Sequence, residues 1–356
     1  MLKKDRMFSY IPNVDAVVVT SHNNRLYFTE FSGSFGILVL TRESANYITD
    51  FRYFQMAKEA MAGKGIDVFL ADNATAAYKC ANELLHNINA KVVGYEDTEI
   101  TVAESVNLFE KLPEYKFVPV GESILEARKT KTQIEIDNMT KAQQITDKAF
   151  TKILSFISSS VTEHEIAVEL EYYMRKFGAD GLAFETIIAS GANGSKPHAH
   201  PTDKLIKNGD AITMDFGARY NGYCSDMTRT VFFGKPSAEM RNIYNVVLQA
   251  QQACLSNIKC GMMGKEIDAL ARQVIVSAGF ANNFNHGLGH SVGIDIHERP
   301  TSNAVSTDIL EDNMITTVEP GIYVADLGGV RIEDMVIVKK DKIINLTNSQ
   351  KDIIIL

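Results

Sequence analysis

The chain has 356 residues, 45% of them hydrophobic and 22% charged, so it can bury an ordinary core, and its length favours about two domains. A formal charge of −8, with lysines and arginines scattered along the chain, leaves no basic face for nucleic acid or anionic lipid. No apolar run reaches the ~18 residues of a membrane span, the first residues lack the apolar stretch of a secretory signal, and the four cysteines form no C-x-x-C pair, so a reduced, cytoplasmic protein is expected.

Residues 1–124 alternate short apolar runs with helical patterns. VDAVVVT, RLYFTEF, GILVLT and ANYITDF come first, followed by helices expected near 53–62 and 76–87 and by strands at VFLA, KVVGYE and FVPV. That order reads as a small α/β domain. The chain turns charged between Ile124 and Lys131, which sets the second domain at 125–356, and a Thr132/Glu135 capping box then opens a long amphipathic helix.

In this second part the order of elements occurs twice. Helices expected at about 133–158 and 163–177, the latter opened by a Thr162/Glu165 capping box, lead to the hairpin AITMDFGARYNGYCSDMTRTVFF. Helices expected at about 238–258 and 265–277, stopped by Gly279, lead to ITTVEPGIYVADLGGVRIEDMVIV. The halves read as a duplicated α+β domain in which Asp215 falls opposite Glu319, Gly217 opposite Gly321, and Asp226 opposite Glu333.

The turn chemistry fixes where these acids point. Asn221-Gly222 suits a type I′ turn, and the register it sets pairs Asp226 with Gly217, putting Asp215 and Asp226 on one face of their ribbon. A loop of about five residues around Asp326-Leu327-Gly328-Gly329 would set Glu319 opposite Glu333, again on one face. A single acid in such a strand is ordinarily a surface or salt-bridged residue. Four among apolar neighbours repel one another and are costly to desolvate, and Arg331 and Arg229 supply two positive charges at most, so two divalent cations are the expected balance. Five of the eight histidines, His198, His200, His286, His290 and His297, fall in one stretch with these acids, and glycines 287, 289 and 293 give His286 and His290 a tight backbone.

The segments MDFG, YCSDMTRT, HGLGHSVGIDIHE, TTVEPGIY and GGVRIED resemble, in order, the signature of the pita-bread metallopeptidases, a group that includes aminopeptidase P, prolidase, methionine aminopeptidase and the non-peptidase creatinase. NRLYFTEFSGSFG followed by ITDFRY is similar to the N-terminal domain of the bacterial Xaa-Pro peptidases, which directs the expectation to peptides with proline at the second position. The resemblance implies two divalent metal ions, manganese first with cobalt, iron or zinc as substitutes. Asp226 and Glu333 would bridge them, Asp215 would complete one shell, and His290 and Glu319 the other. It further implies that His198 and His297 contact substrate and that the protein is a homodimer. Two departures stand out: Glu30 occupies a position where such N-terminal domains commonly have glycine, and His200 adds an imidazole after His198.

The chain is read as having neither a G-x-S-x-G nucleophile elbow nor a His-Glu-x-x-His motif, so activation of water falls to the metals. Glu319 is the candidate to pass a proton to the leaving nitrogen. Proline has no N–H to offer, so an apolar wall is expected around its ring, with His286 and Arg331 as polar contacts. Arg331 is equally read as a partner of a metal-bridging carboxylate, and Cys224 as packing. The expected activity is that of an Xaa-Pro aminopeptidase. The alternatives are an Xaa-Pro dipeptidase, a creatinase-like hydrolase and a non-catalytic binding protein on the same scaffold.

Overall fold

A computed structural model describes residues 2–356, and the chain divides into two units, Met1–Arg128 and Lys129–Leu356. No helix among the described residues is long and apolar enough to cross a membrane.

The first unit comprises, in order, α1 (Lys3–Tyr10), β1 (Ala16–Val19), α2 (His22–Thr29), β2 (Ile37–Thr41), β3 (Ala45–Thr49), α3 (Phe51–Met61), β4 (Asp67–Leu70), α4 (Ala74–Asn87), β5 (Val92–Tyr95), α5 (Val102–Lys111), β6 (Lys116–Pro119) and α6 (Gly121–Lys129). Its six strands form one sheet in the order β4-β3-β2-β1-β5-β6. β1 pairs antiparallel with β2 and parallel with β5, so it is central and buried on both faces. Ile124 and Ala127 of α6 belong to this unit's core.

RLYFTEF, read above as an apolar run, lies largely in α2. The helical face that packs inward carries Asn24, Arg25 and Thr29 as well as Tyr27, so the apolar period is masked. Burial of these polar groups is matched by hydrogen bonds: Asn24 donates to the buried Glu96, and Arg25 to the Tyr47 hydroxyl and the Gly33 carbonyl. Glu30 ends the helix in the left-handed region at φ 60°, which is why glycine suits this position.

The second unit opens with α7 (Gln133–Ile153) and α8 (Glu163–Lys176), each started by the expected capping box. β7 (Gly181–Leu182), β8 (Ile187–Ser190), β9 (Ala211–Phe216), β10 (Ala218–Tyr220), β11 (Tyr223–Cys224) and β12 (Met227–Phe232) follow. Next come α9 (Ala238–Asn257), α10 (Gly264–Ser277), β13 (Gly289–Ser291), β14 (Glu298–Ser302), β15 (Ile315–Val318), β16 (Gly321–Val324), β17 (Gly328–Arg331), β18 (Asp334–Val338) and β19 (Ile343–Asn345). Each helix pair packs on its own ribbon. Ile145, Phe150 and Leu170 meet Ile212, Met214 and Phe216 in one core, while Ile243, Val247 and Ile267 meet Val318, Ile332 and Val336 in the other.

Both ribbons have the register set by their turns. Asn221 and Gly222 sit at φ 49° and 79°, and the pairs Tyr220 with Tyr223 and Thr228 with Asp215 place Asp226 opposite Gly217. In the second ribbon Val318 faces Asp334 and Gly321 faces Arg331, so Glu319 is opposite Glu333. Val324 pairs with Gly328, leaving a three-residue loop, 325–327, in place of the expected five. The register is unchanged because Asp326 (φ 61°) and Gly328 (φ 142°) take the positive angles that a short loop needs.

Candidate metal centre

The ribbons meet through their threonines. Thr230 Oγ1 accepts from the Arg331 N–H and donates to the Arg331 carbonyl, and the Glu333 N–H donates to the Thr228 carbonyl. These bonds lay the end of β17 along β12 and bring the acids of both ribbons to one cavity of about 510 Å³. Asp215, Asp226, Glu319 and Glu333 line it, together with His198, His200, His286, His290, His297 and Arg331. The nine sequence-predicted site residues therefore face one space, joined by His200, for which no role was assigned. Phe184, Ile187, Pro197, Ala199 and Ile296 supply its apolar wall.

The orientation of His290 is diagnostic. Its Nδ1 lies 3.0 Å from the Ser291 carbonyl, which only accepts, so Nδ1 carries the proton and Nε2 a lone pair. That lone pair faces Glu319 Oε1 at 3.4 Å and Asp226 Oδ2 at 3.6 Å. With both carboxyls ionised these are three acceptors turned toward one point, an arrangement that a cation, or a retained proton in its absence, must satisfy. One ligand atom each from Asp226, His290 and Glu333 lies within 4.8 Å of the others, and Asp215 Oδ1 and Glu333 Oε1 are buried without a hydrogen-bond partner. The donor set, mostly carboxylate oxygen with one imidazole, fits hard divalent ions.

Electrostatics agree with the geometry. Burial pushes Asp226 and Glu333 well above the ordinary carboxylate range, and the neighbouring acids push them further. Burial lifts Glu319 to about 8. It also lowers His290, and lowers His286 to about 4, so both imidazoles are neutral. A group of acids that cannot all ionise together is a site prepared for metal.

Arg331 is fully buried and committed. It donates to Asp215 Oδ2 at 2.6 Å, to the Tyr323 hydroxyl at 2.7 Å, to Thr228 Oγ1 at 3.0 Å and to the Pro197 carbonyl at 3.3 Å. Arg229, counted above toward neutralising the acids, lies elsewhere: it pairs at 2.8 Å with Asp334, which follows Glu333 and points the opposite way. Thus one arginine, and not two, enters the cavity.

Sequence reasoning overlooked three further side chains. Thr228 donates to Glu333 Oε2 at 2.7 Å, Thr317 to Glu319 Oε1 at 3.1 Å, and the Tyr323 hydroxyl joins Arg331 to His286 Nε2 at 3.0 Å. Thr228 and Thr317 stand two residues from Asp226 and Glu319, so the same-face rule for strands was the available signal. A fourth oversight concerns Gly289-His290-Ser291-Val292-Gly293, which does have the G-x-S-x-G spacing. Ser291 is fully buried on β13 and accepts from Lys131, so it is no exposed nucleophile at a strand-to-helix turn. Cys224 is equally inert, its thiol pushed up to about 12 by burial.

A carboxylate-rich cluster with one imidazole, on a duplicated scaffold, is the donor set of a divalent-metal centre. The comparisons with known proteins give its family: residues 137–340 match metallopeptidase family M24, and residues 12–130 match the creatinase/prolidase N-terminal domain. An Xaa-Pro dipeptidase of Pyrococcus furiosus is 35% identical over 345 residues, 96% of each chain. Among solved structures, an Xaa-Pro dipeptidase from Bacillus anthracis superposes with a TM-score of 0.94 at 38% identity, covering 99% of both chains. An X-Pro aminopeptidase from Thermotoga maritima gives 0.93 at 32% identity, covering 99% of this chain and 100% of the other. The chain belongs to metallopeptidase family M24, with a creatinase-like N-terminal domain and a pita-bread second unit, and is a metallo-exopeptidase. Membership implies divalent metal ions.

Proposed function

We propose that this protein is a manganese-dependent Xaa-Pro aminopeptidase that releases the N-terminal residue of peptides with proline at the second position. The relatives named as Xaa-Pro peptidases support the substrate class. The observation that carries the metal assignment is the lone pair of His290 Nε2 turned toward the Asp226 and Glu319 carboxylates. Asp215, Asp226, His290, Glu319 and Glu333, which line one cavity, would hold two divalent ions. When bound, the ions lower the pKa of water toward neutrality and so supply a nucleophile.

The chain's own residues do the rest. The apolar wall of Phe184, Ile187, Pro197, Ala199 and Ile296 accepts the proline ring by shape, with no demand for an N–H. His198 and His297 line the same cavity and donate to the scissile carbonyl oxygen as charge develops on it. Glu319 lines the same cavity and is the carboxylate assigned to hand a proton to the departing nitrogen. Arg331 orients Asp215 and, through Tyr323, His286.

Aminopeptidase is preferred over dipeptidase because of the cavity's charge. Arg331 is the one lysine or arginine in the lining, and it is held by Asp215, so a dipeptide's carboxylate finds no free cation there. Incubation of Mn²⁺-loaded protein with Gly-Pro and with longer Gly-Pro peptides tests this. Faster release of glycine from the longer peptides is expected, and cleavage of the dipeptide alone would overturn the assignment. A cytoplasmic homodimer completes the proposal.

A further inference from the structure

His198 reaches the cavity from the segment 191–201, which is neither strand nor α-helix apart from a 3-10 turn at Gly191–Ser195. A segment of this kind does not fix an imidazole by its own backbone ladder, so its anchors decide where His198 stands. Both ends are tied to one carboxylate outside the cavity. Glu163, the first residue of α8, is fully buried and accepts five hydrogen bonds from neutral donors. Oε1 accepts from the Ser190 N–H and Oγ, each at 2.6 Å. Oε2 accepts from Asn193 Nδ2 at 2.9 Å, the Thr202 N–H at 3.1 Å and Thr202 Oγ1 at 2.6 Å. Ser190 precedes the segment and Thr202 follows it.

The middle of the segment lies against the second ribbon. A Cβ on Gly329 would come within 2.1 Å of the Gly194 carbonyl, so only glycine lets β17 approach this closely. Arg331 Nη1 reaches the Pro197 carbonyl, one residue before His198. Glu163 closes the ends of the segment and β17 supports its centre, and between these anchors His198 enters the cavity with Pro197, Ala199 and His200 beside it.

We propose that Glu163 is a positioning residue for the reaction: it preorganises the segment that carries His198 and acts on kcat through that imidazole. This rests on the role assigned to His198 above. Glu163→Gln keeps the shape but turns an NH₂ group toward donors at one end of the segment, so that end loses its acceptor. It is expected to lower kcat by about 10- to 100-fold, with a smaller rise in KM because Pro197 and Ala199 of the same segment line the wall for the proline ring. Affinity for Mn²⁺, measured by calorimetry, should stay the same, because His198 is not among the ligands.

A double-mutant cycle separates positioning from general damage. In a His198→Ala background, Glu163→Gln should cost less than about two-fold in kcat. Thr202→Val, which removes one donor and leaves Glu163 in place, should act in the same direction more weakly. In metal-free protein, amides of 191–201 should exchange hydrogen faster in Glu163→Gln while those of β9 and β12 keep their rates. Equal losses of kcat in both backgrounds, or unchanged exchange across 191–201, would overturn the proposal. If His198→Ala itself left kcat intact, the role of His198 would fall, and the catalytic part of the proposal with it, while the exchange rates would still report on the clamp.

Discussion

Arg331 Nη2 lies 2.6 Å from one carboxylate oxygen of Asp215, and the other oxygen of the same group is buried without a hydrogen-bond partner. The guanidinium occupies one side of Asp215 and leaves the second for a cation. Its fork also reaches Thr228, Tyr323 and the Pro197 carbonyl, a geometry that an ammonium group cannot reproduce. Arg331→Lys is therefore expected to lower metal affinity or kcat/KM by about 10- to 100-fold despite the conserved charge. Calorimetric Mn²⁺ titration and steady-state kinetics check this.

The buried titratable groups give the metal-free protein an unusual pH dependence. Glu319 is lifted from an ordinary 4.5 to about 8, so the folded state keeps a proton that the unfolded chain has released. The stability this confers is complete below pH 4.5 and is lost as pH rises through 8. Asp226 and Glu333, also raised, act in the same direction. His286, lowered from 6.5 to about 4, contributes stability that is complete above pH 6.5 and lost as pH falls through 4. The melting temperature in EDTA is thus expected to be lower at pH 8 than at pH 6, with saturating Mn²⁺ abolishing the difference. Scanning calorimetry under the four conditions measures it, and a metal-free protein at least as stable at pH 8 would refute the assignment of these shifts.

The site was more legible in the sequence than the first unit was. Turn chemistry at Asn221-Gly222 and an apolar alternation around each acid suffice to aim Asp215, Asp226, Glu319 and Glu333 at one side of their ribbons, because strand parity is strict. The cavity's supporting bonds were not legible, since Thr228 and Thr317 look like ordinary strand residues and Tyr323 like packing. Helix α2 was hidden for another reason. Its buried face is half polar, and its stability rests on the long-range bond of Asn24 to Glu96 and on the bonds of Arg25 to Tyr47 and Gly33, which no local window contains.

Glu30 offers a test away from the cavity. A left-handed residue with a Cβ costs roughly 1–2 kcal/mol, and the half-exposed pair that Glu30 forms with Lys64 at 2.6 Å returns less than about 1 kcal/mol. Glu30→Gly should therefore stabilise the protein by up to roughly 1 kcal/mol in urea unfolding, without altering metal content or kcat.

The acids of the two ribbons and His290 are expected to hold a pair of divalent ions. Calorimetric titration of metal-stripped protein with Mn²⁺ tests it most directly. Two ions per chain are expected, with binding severely weakened in Asp226→Asn and in Glu333→Gln, which alter the two acids clustered with His290. Folded wild-type protein that binds no Mn²⁺, or binds it as tightly after either substitution, would contradict it.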